Sequence, residues 1–232
     1  MTTELWGKGA SGGRASGRLA FFERRPPPAR KRAADPKAET ERFQGALREA
    51  GRQLSALRLS CAAAIGRENA ELFEIHRMML DDPEFSDPIV ERIESLGARA
   101  EWAVMEAGAA LAREFSSMSD AYMRARATDA LDLSGRLAGI LRGRAQGLPR
   151  LAEPSILCAD DFYPSEMAQI DRSEVMALAS REGDAGSHSA IFARALGIPW
   201  AIGFGPALSP ELSGRRAELD GDSGRLGVAP EL

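Results

Sequence analysis

"GDAGSHSAIFARALGIPWAIG", residues 183–203, reads as a loop, a short helix and a buried strand in succession. Ser187 is a good N-cap, because its hydroxyl accepts a hydrogen bond from a first-turn amide. Ile191, Ala195 and Leu196 follow at helical spacing, Gly197 and Pro199 stop the helix, and Trp200-Ala201-Ile202 is an apolar run of strand type. His188, one of two histidines in the chain, falls in the first turn. There the helix dipole and the first-turn amides favour an anion and disfavour an imidazolium. A neutral imidazole is a nucleophile, and the same amides are placed to hold a phosphate carried on it. A lone histidine at a helix start is otherwise a surface or capping residue, and this stretch alone leaves both readings open.

The flanking sequence extends the same alternation. After Gly147-Leu148-Pro149, "SILCA" (155–159) and "VMALA" (175–179) are short apolar runs with a helical "SEMAQI" (165–170) between them, and strand-like pieces recur at 217–219 and 225–229 around "DGDSG". Strand and helix in turn make this end α/β. The glycine-rich start, residues 5–22, turns apolar at "RLAFF" and joins it as strands, since so few strands make a poor domain by themselves.

Between these parts the texture is helical from Asp35 to about Arg144. Asp35 and Pro36 form a helix start, and Phe43, Leu47, Ala50, Leu54, Leu57 and Cys61 make the stripe of a long packed helix. Further helices are expected at 68–82, at 86–97 with Ser86 or Asp87 as cap, at 99–118 with Trp102, Met105, Ala109 and Ala112 on one side, and at about 120–142. Short breaks between them imply antiparallel hairpins. The fold class expected is thus an α/β domain, residues 1–30 and 146–232, with an all-α helical-hairpin bundle, 35–145, inserted in it.

Two distant cysteines give no disulfide framework and fit a reducing, cytoplasmic setting. His76, His188, Cys61 and Cys158 include no pair at metal-ligand spacing. The start lacks a secretory pattern and no apolar run approaches a membrane span. The net charge of −4 hides an asymmetry: residues 1–34 hold eight basic and two acidic side chains, leaving 22 and 32 for the rest. Much of the basic excess lies in "ERRPPPARKR" (23–32), which reads as a solvated proline-rich linker. No aromatic residues are interleaved there, so neither nucleic acid nor membrane is an expected partner.

At 186–203 the sequence resembles the phosphohistidine motif of enzyme I of the bacterial sugar phosphotransferase system, and the swivelling domains of pyruvate phosphate dikinase and phosphoenolpyruvate synthase carry a related one. Further stretches are similar to enzyme I in order along the chain: "ASGGRASGRL" (10–19), "LFEIHRMMLDDPEF" (72–85), "YMRARATDALDLSGRL" (122–137), "DFYPSEMAQI" (161–170) and "ELDGDSGRLGVAP" (218–230). The resemblance implies a phosphohistidine (swivelling) α/β domain whose His188 accepts a phosphoryl group on the ring nitrogen distal to the backbone, and a helical insertion that docks the phosphocarrier HPr. Such a chain is a phosphoenolpyruvate-protein phosphotransferase-type enzyme of the cytoplasm. Phosphoenolpyruvate and magnesium bind to a barrel domain in that family. This chain ends at Leu232, where the linker helix would start, so no cofactor is expected in it and a phosphoenolpyruvate-binding domain or subunit is an expected partner. Such a chain is either a piece of a longer enzyme or a natural short form like the enzyme I-like module of the dihydroxyacetone kinase phosphotransfer subunit, and the sequence leaves both open.

By the same resemblance Ser187, Ser189 and Gly186 would bind or orient the phosphate. Met167 stands where the family has a threonine that hydrogen-bonds the active histidine, Gly186 replaces another threonine, and Leu131 replaces an arginine. Those departures support an alternative: a non-catalytic HPr-binding regulatory or scaffold module with a degenerate site. The docking face expected comprises Glu68, Glu71, Glu74, His76, Met79, Leu80 and Asp82 on an acidic helix, since opposite potentials speed encounter with a basic partner; Arg126 matches a family arginine of that surface and would neutralise the phosphoryl group in transit, or else is an ordinary salt bridge to Asp129 or Glu114. An acidic helix face is equally an ordinary solvated one. Arg194, six residues beyond His188, is off its face and reads as structural.

Overall fold

The computed structural model describes residues 3–144 and 147–230, with backbone alone at 121 and 122. The chain divides into two compact units, Met1–Arg24 with Gly147–Leu232, and Arg25–Gln146. Residues 145 and 146, where the sequence puts the seam, lie outside the described residues.

In the first unit the strands are β1 (Thr3–Trp6), β2 (Lys8–Ser11), β3 (Arg14–Phe21), β4 (Ser155–Ala159), β5 (Val175–Ser180), β6 (Trp200–Ile202), β7 (Arg216–Asp220) and β8 (Arg225–Val228). They form one mixed sheet in the order β1-β8-β7-β3-β4-β5-β6-β2. β3, β4, β5 and β6 run parallel to one another, while β1, β8, β7 and β2 pair antiparallel to their neighbours. β1 and β2 are separated by Gly7 alone yet occupy opposite edges, so the sheet must curl until its edges approach. The Gly7 amide donates to the Gly224 carbonyl at 2.9 Å. At Gly221 a Cβ would stand 2.1 Å from the Ser11 carbonyl oxygen, so only glycine permits this approach.

The central strands are apolar on both faces, as parallel strands covered on each side must be. One face supplies Leu19, Ile156, Cys158, Ala177, Ala179, Leu219 and Leu226 to a continuous core. Trp200, Phe162 and Phe192 are also fully enclosed, with Phe162 edge-on to Trp200 at 5.8 Å between centroids. Each such side chain contributes roughly 1.5–3 kcal/mol by leaving water. Two short helices, α6 (Pro164–Met167) and α7 (His188–Leu196), follow β4 and β5. α6 is one turn long rather than running to 170. α7 starts and stops where expected, between Ser187 and a left-handed Gly197. Its buried face, however, is Ser189, Ala190, Phe192 and Ala193, while Ala195 is exposed. The bulk of Phe192 sets that orientation.

The second unit holds α1 (Pro36–Ile65), α2 (Arg67–Asp81), α3 (Pro83–Glu94), α4 (Ala100–Ser117) and α5 (Ala121–Leu141). Asp35 caps α1 through the amides of Lys37 and Ala38. α3 begins at Pro83 with Asp82 as its cap, three residues before the start expected, because the Asp82 carboxylate reaches the Glu84 amide and proline suits the first position. α1 pairs with α2, and α4 with α5. The buried face of α4 is Ala100, Ala103, Val104, Ala107, Gly108 and Ala112, whereas Trp102, Met105 and Ala109 are only partly covered. Small residues win that face because α5 comes so close: a Cβ on Gly108 would lie 1.8 Å from Ser134 Oγ. α4 has no side-chain cap of its own, and Glu39 of α1 accepts from the Ala100 amide at 2.6 Å instead.

The proline-rich stretch is mostly exposed, as a solvated linker is, but its far end is tied down as a strap. Its carbonyl at Lys31 accepts from the Arg99 amide at 3.0 Å, the Ala33 amide donates to Gly97, and Arg32 bridges Ala98. Among the described residues no helix is long and apolar enough to cross a membrane.

Candidate functional site

Because β4 and β5 are parallel, the loops after them leave the sheet at the same end, where open α/β sheets place their sites. The Arg181 and Glu182 amides donate to the Ala159 and Asp160 carbonyls and carry the pairing past the strand ends. Beyond them a Cβ on Gly183 would lie 3.3 Å from Asp161 Oδ1, so the two loops touch. Asp184 then organises the turn: Oδ1 accepts from the Gly186 amide at 2.8 Å and its carbonyl from the Ser187 amide at 3.0 Å.

His188 is the first residue of α7. Ser187 Oγ accepts from the Ala190 amide at 3.2 Å, which accounts for its hydroxyl as a cap. The His188 side chain is partly exposed, with Nδ1 shut away from solvent. Ser189 is turned inward: its buried hydroxyl donates to the Phe162 carbonyl at 2.6 Å. Its structural place is therefore as the tie between α7 and the segment after β4, not as a surface phosphate ligand. Gly186 is exposed, and a Cβ there would make ordinary contact with Asp184 at 3.4 Å, so the turn does not require glycine. Met167 is wholly buried at the end of α6, which packs against α7. Arg194 donates to the carbonyls of Ala10 and Ala185, the structural part its position implies.

The sequence reading missed what holds the Phe162 segment. Arg24, read there as linker, donates from Nε to Glu166 Oε1 at 3.0 Å and from Nη2 to the Asp161 carbonyl at 2.7 Å, and its guanidinium lies 3.7 Å from the centre of the Tyr163 ring. Glu166 in turn accepts from the Tyr163 amide at 2.8 Å. A basic residue just after a strand end was the available signal. Burial pushes the Asp161 carboxyl up to about 6, helped by Glu182 and Asp184 and opposed by the Phe162 amide and Arg24. Both cysteines are buried, and burial raises their thiols, Cys61 to about 11 and Cys158 beyond it, so neither serves as a thiolate nucleophile. Among the described residues no group of three or more potential ligands is placed to hold a metal ion.

In the helical unit the residues singled out for docking separate. His76 and Leu80 are interior: His76 is fully buried, with Nε2 3.4 Å from Asp129 Oδ1 on α5 and the Phe73 ring edge-on. The step of three and four from Phe73 places His76 on the inward face of α2. Glu71 pairs with Arg58 at 2.8 Å and Glu74 with Arg77 at 2.7 Å, so the acidic face is partly neutralised; Glu68 is exposed. Met79, Asp82 and Arg126 come together and line a cleft of about 280 Å³ with Phe85 and Phe115.

Residues 6–126 match the family described as PEP-utilising enzyme, N-terminal, and residues 151–224 match the PEP-utilising enzyme, mobile domain. A phosphoenolpyruvate-protein phosphotransferase of Bacillus subtilis is 32% identical over 98% of this chain and 40% of its own length. One from Bacillus sp. (strain S) is 34% identical over 97% of this chain and 39% of its own. The chain thus spans about two fifths of these relatives. An enzyme I solution structure is 28% identical with a TM-score of 0.72, covering 98% of this chain and 93% of that one. An N-terminal domain of Enzyme 1 – Nitrogen is 30% identical with a TM-score of 0.64, covering 98% and 94%.

Proposed function

The chain belongs to the PEP-utilising enzymes, and on that premise we propose that it passes a phosphoryl group between His188 and a histidine of the phosphocarrier HPr, with phosphoenolpyruvate as ultimate donor. The names of its curated relatives, phosphoenolpyruvate-protein phosphotransferase, support this reading. The observation that carries it is His188 at the first position of α7, partly exposed, with Nδ1 withdrawn from solvent. In the transfer the Nε2 lone pair attacks phosphorus in line. The P–N bond to the donor imidazole breaks as the new one forms, and the donor nitrogen recovers its lone pair. His188 keeps its Nδ1 proton throughout. Such a step needs alignment and charge neutralisation more than acid–base machinery, and the first-turn amides offer the three phosphoryl oxygens a positive helix end.

The cleft that joins Met79, Asp82 and Arg126 supports the helical unit as the docking surface: an apolar floor rimmed by carboxylates and one guanidinium suits a basic partner with an apolar centre. Incubation with phosphorylated HPr followed by mass spectrometry tests the proposal. One acid-labile, base-stable phosphate is expected, lost in His188→Ala and kept in His76→Ala. Labelling that survives His188→Ala overturns it, and binding of phosphorylated HPr without any label favours the non-catalytic module that the apolar, buried Met167 suggests.

A further inference from the structure

We propose that the helical unit carries a second binding site: the cleft formed by Arg25, Lys31, Arg99, Trp102, Arg142 and Arg144 takes a compact polyphosphate anion, and a nucleoside triphosphate is the form it fits. None of these residues has a part in the phosphoryl transfer proposed above.

Charge is the first argument. Five cationic side chains line one cleft of about 440 Å³. Its single carboxylate, Glu101, is buried and already engaged by Arg42 at 2.5 Å, with Arg99 at 3.7 Å. Burial, together with the like charges of Arg144 and Arg25, holds the Arg142 guanidinium below its ordinary pKa; Glu101 only partly offsets this. A cluster whose own members destabilise one another's charge is relieved by a bound anion, and several charges at once call for a polyanion.

Rigidity is the second. Pro26, Pro27 and Pro28 fix the backbone between Arg25 and Lys31, and the strap is pinned by the bonds from Arg99 to Lys31 and from Ala33 to Gly97. The backbone that carries Arg25 and Lys31 is therefore restricted before any ligand arrives, which lowers the ordering cost of binding, and both side chains are exposed to it. The third is the aromatic wall. Trp102 lines the cleft beside the cations; the Arg30 guanidinium lies 5.3 Å from its ring centre, and a planar base would take that cation's place on the ring, next to the phosphate ligands. The volume lies in the usual range for small-molecule sites. A compact cleft with one tryptophan differs from the extended, aromatic-studded groove that single-stranded nucleic acid needs.

Calorimetric titration of the full 232-residue chain with inorganic triphosphate and with ATP, in buffer of physiological ionic strength, tests this. Both anions are expected to bind at one site, ATP more tightly and with a change in tryptophan fluorescence. Trp102→Ala should bring ATP down to the affinity of triphosphate; equal affinities in the unaltered chain would instead limit the site to the phosphates and overturn the nucleotide assignment. Arg142→Gln should weaken both ligands by roughly tenfold, and Arg25→Glu with Lys31→Glu should abolish binding. Arg67→Glu with Arg113→Glu makes the same change in net charge at exposed positions outside the cleft and should leave affinity unchanged. No saturation by on the order of 10 mM of either anion, equal weakening in that control, or an oligonucleotide binding far more tightly than ATP would each overturn the proposal.

Discussion

Asp161→Asn should stabilise the α/β unit at neutral pH, with a gain that disappears in acid. The Asp161 carboxyl is partly buried between the two loops, beside Glu182 and Asp184, and its pKa rises from 3.8 to about 6. For an acid this sign means that the folded state holds the proton more tightly than the unfolded chain. The folded state therefore loses stability as pH climbs from about 4 to about 6, and the penalty persists above that. A rise of that size corresponds to about 3 kcal/mol at most, less for a side chain that solvent still reaches. Asparagine keeps an oxygen for the Phe162 amide, which Asp161 Oδ1 accepts at 2.8 Å, and has no charge to desolvate. Urea denaturation at a series of pH values, followed by the fluorescence of the fully buried Trp200, gives the comparison. The two proteins should be equally stable near pH 4, and the variant ahead by about 1–3 kcal/mol at pH 7 to 8. A difference that does not vary with pH, or a variant less stable at pH 8, would refute the account of the carboxyl's environment.

Gly108→Ala should destabilise the helical unit by about 1–3 kcal/mol despite alanine's better helix propensity, because the new methyl would meet Ser134 Oγ at 1.8 Å and its Cβ at 2.5 Å; adding Ser134→Gly, but not Ser134→Ala, should relieve the clash in thermal melts. Arg24→Ala should cost about 1–3 kcal/mol, since the buried Glu166 would lose a part-buried guanidinium and Tyr163 its stacking cation, and it should slow labelling of His188; a variant as stable and as fast as the parent would remove Arg24 from the support of the site. Met167→Thr should cost about 2–4 kcal/mol through the cavity it leaves in a fully enclosed position, while raising single-turnover transfer by no more than about tenfold if the new hydroxyl orients the imidazole; an unchanged rate with the stability loss would show that Met167 serves packing alone.

The contrast between what was legible in the sequence and what was not follows the range of the forces. Ser187 capping Ala190, Asp35 capping Lys37 and Ala38, and the left-handed stop at Gly197 each depend on residues within a few positions, and the sequence reading placed them correctly. Which face of a helix is buried depends on its neighbour. Hydropathy favoured Trp102 and Met105 on α4, but contact with Ser134 at Gly108 selects alanines and glycine instead. His76 was placed on the docking face of an acidic helix, yet its spacing from Phe73 and Leu80 puts it on the buried side, where Asp129 of α5 meets it. The candidate site divides in the same way. The position of His188 at a helix start is a local fact. The Phe162 carbonyl that anchors the neighbouring Ser189 is 27 residues away, and the Glu166 that Arg24 grips is 142 residues from it. A helix N-terminus alone offers a phosphoryl group its amides but leaves the helix free to shift against the sheet. These distant ties fix α7 to the end of β4, so that in the transfer proposed for His188 its imidazole would be held by the whole α/β unit and not by its own turn.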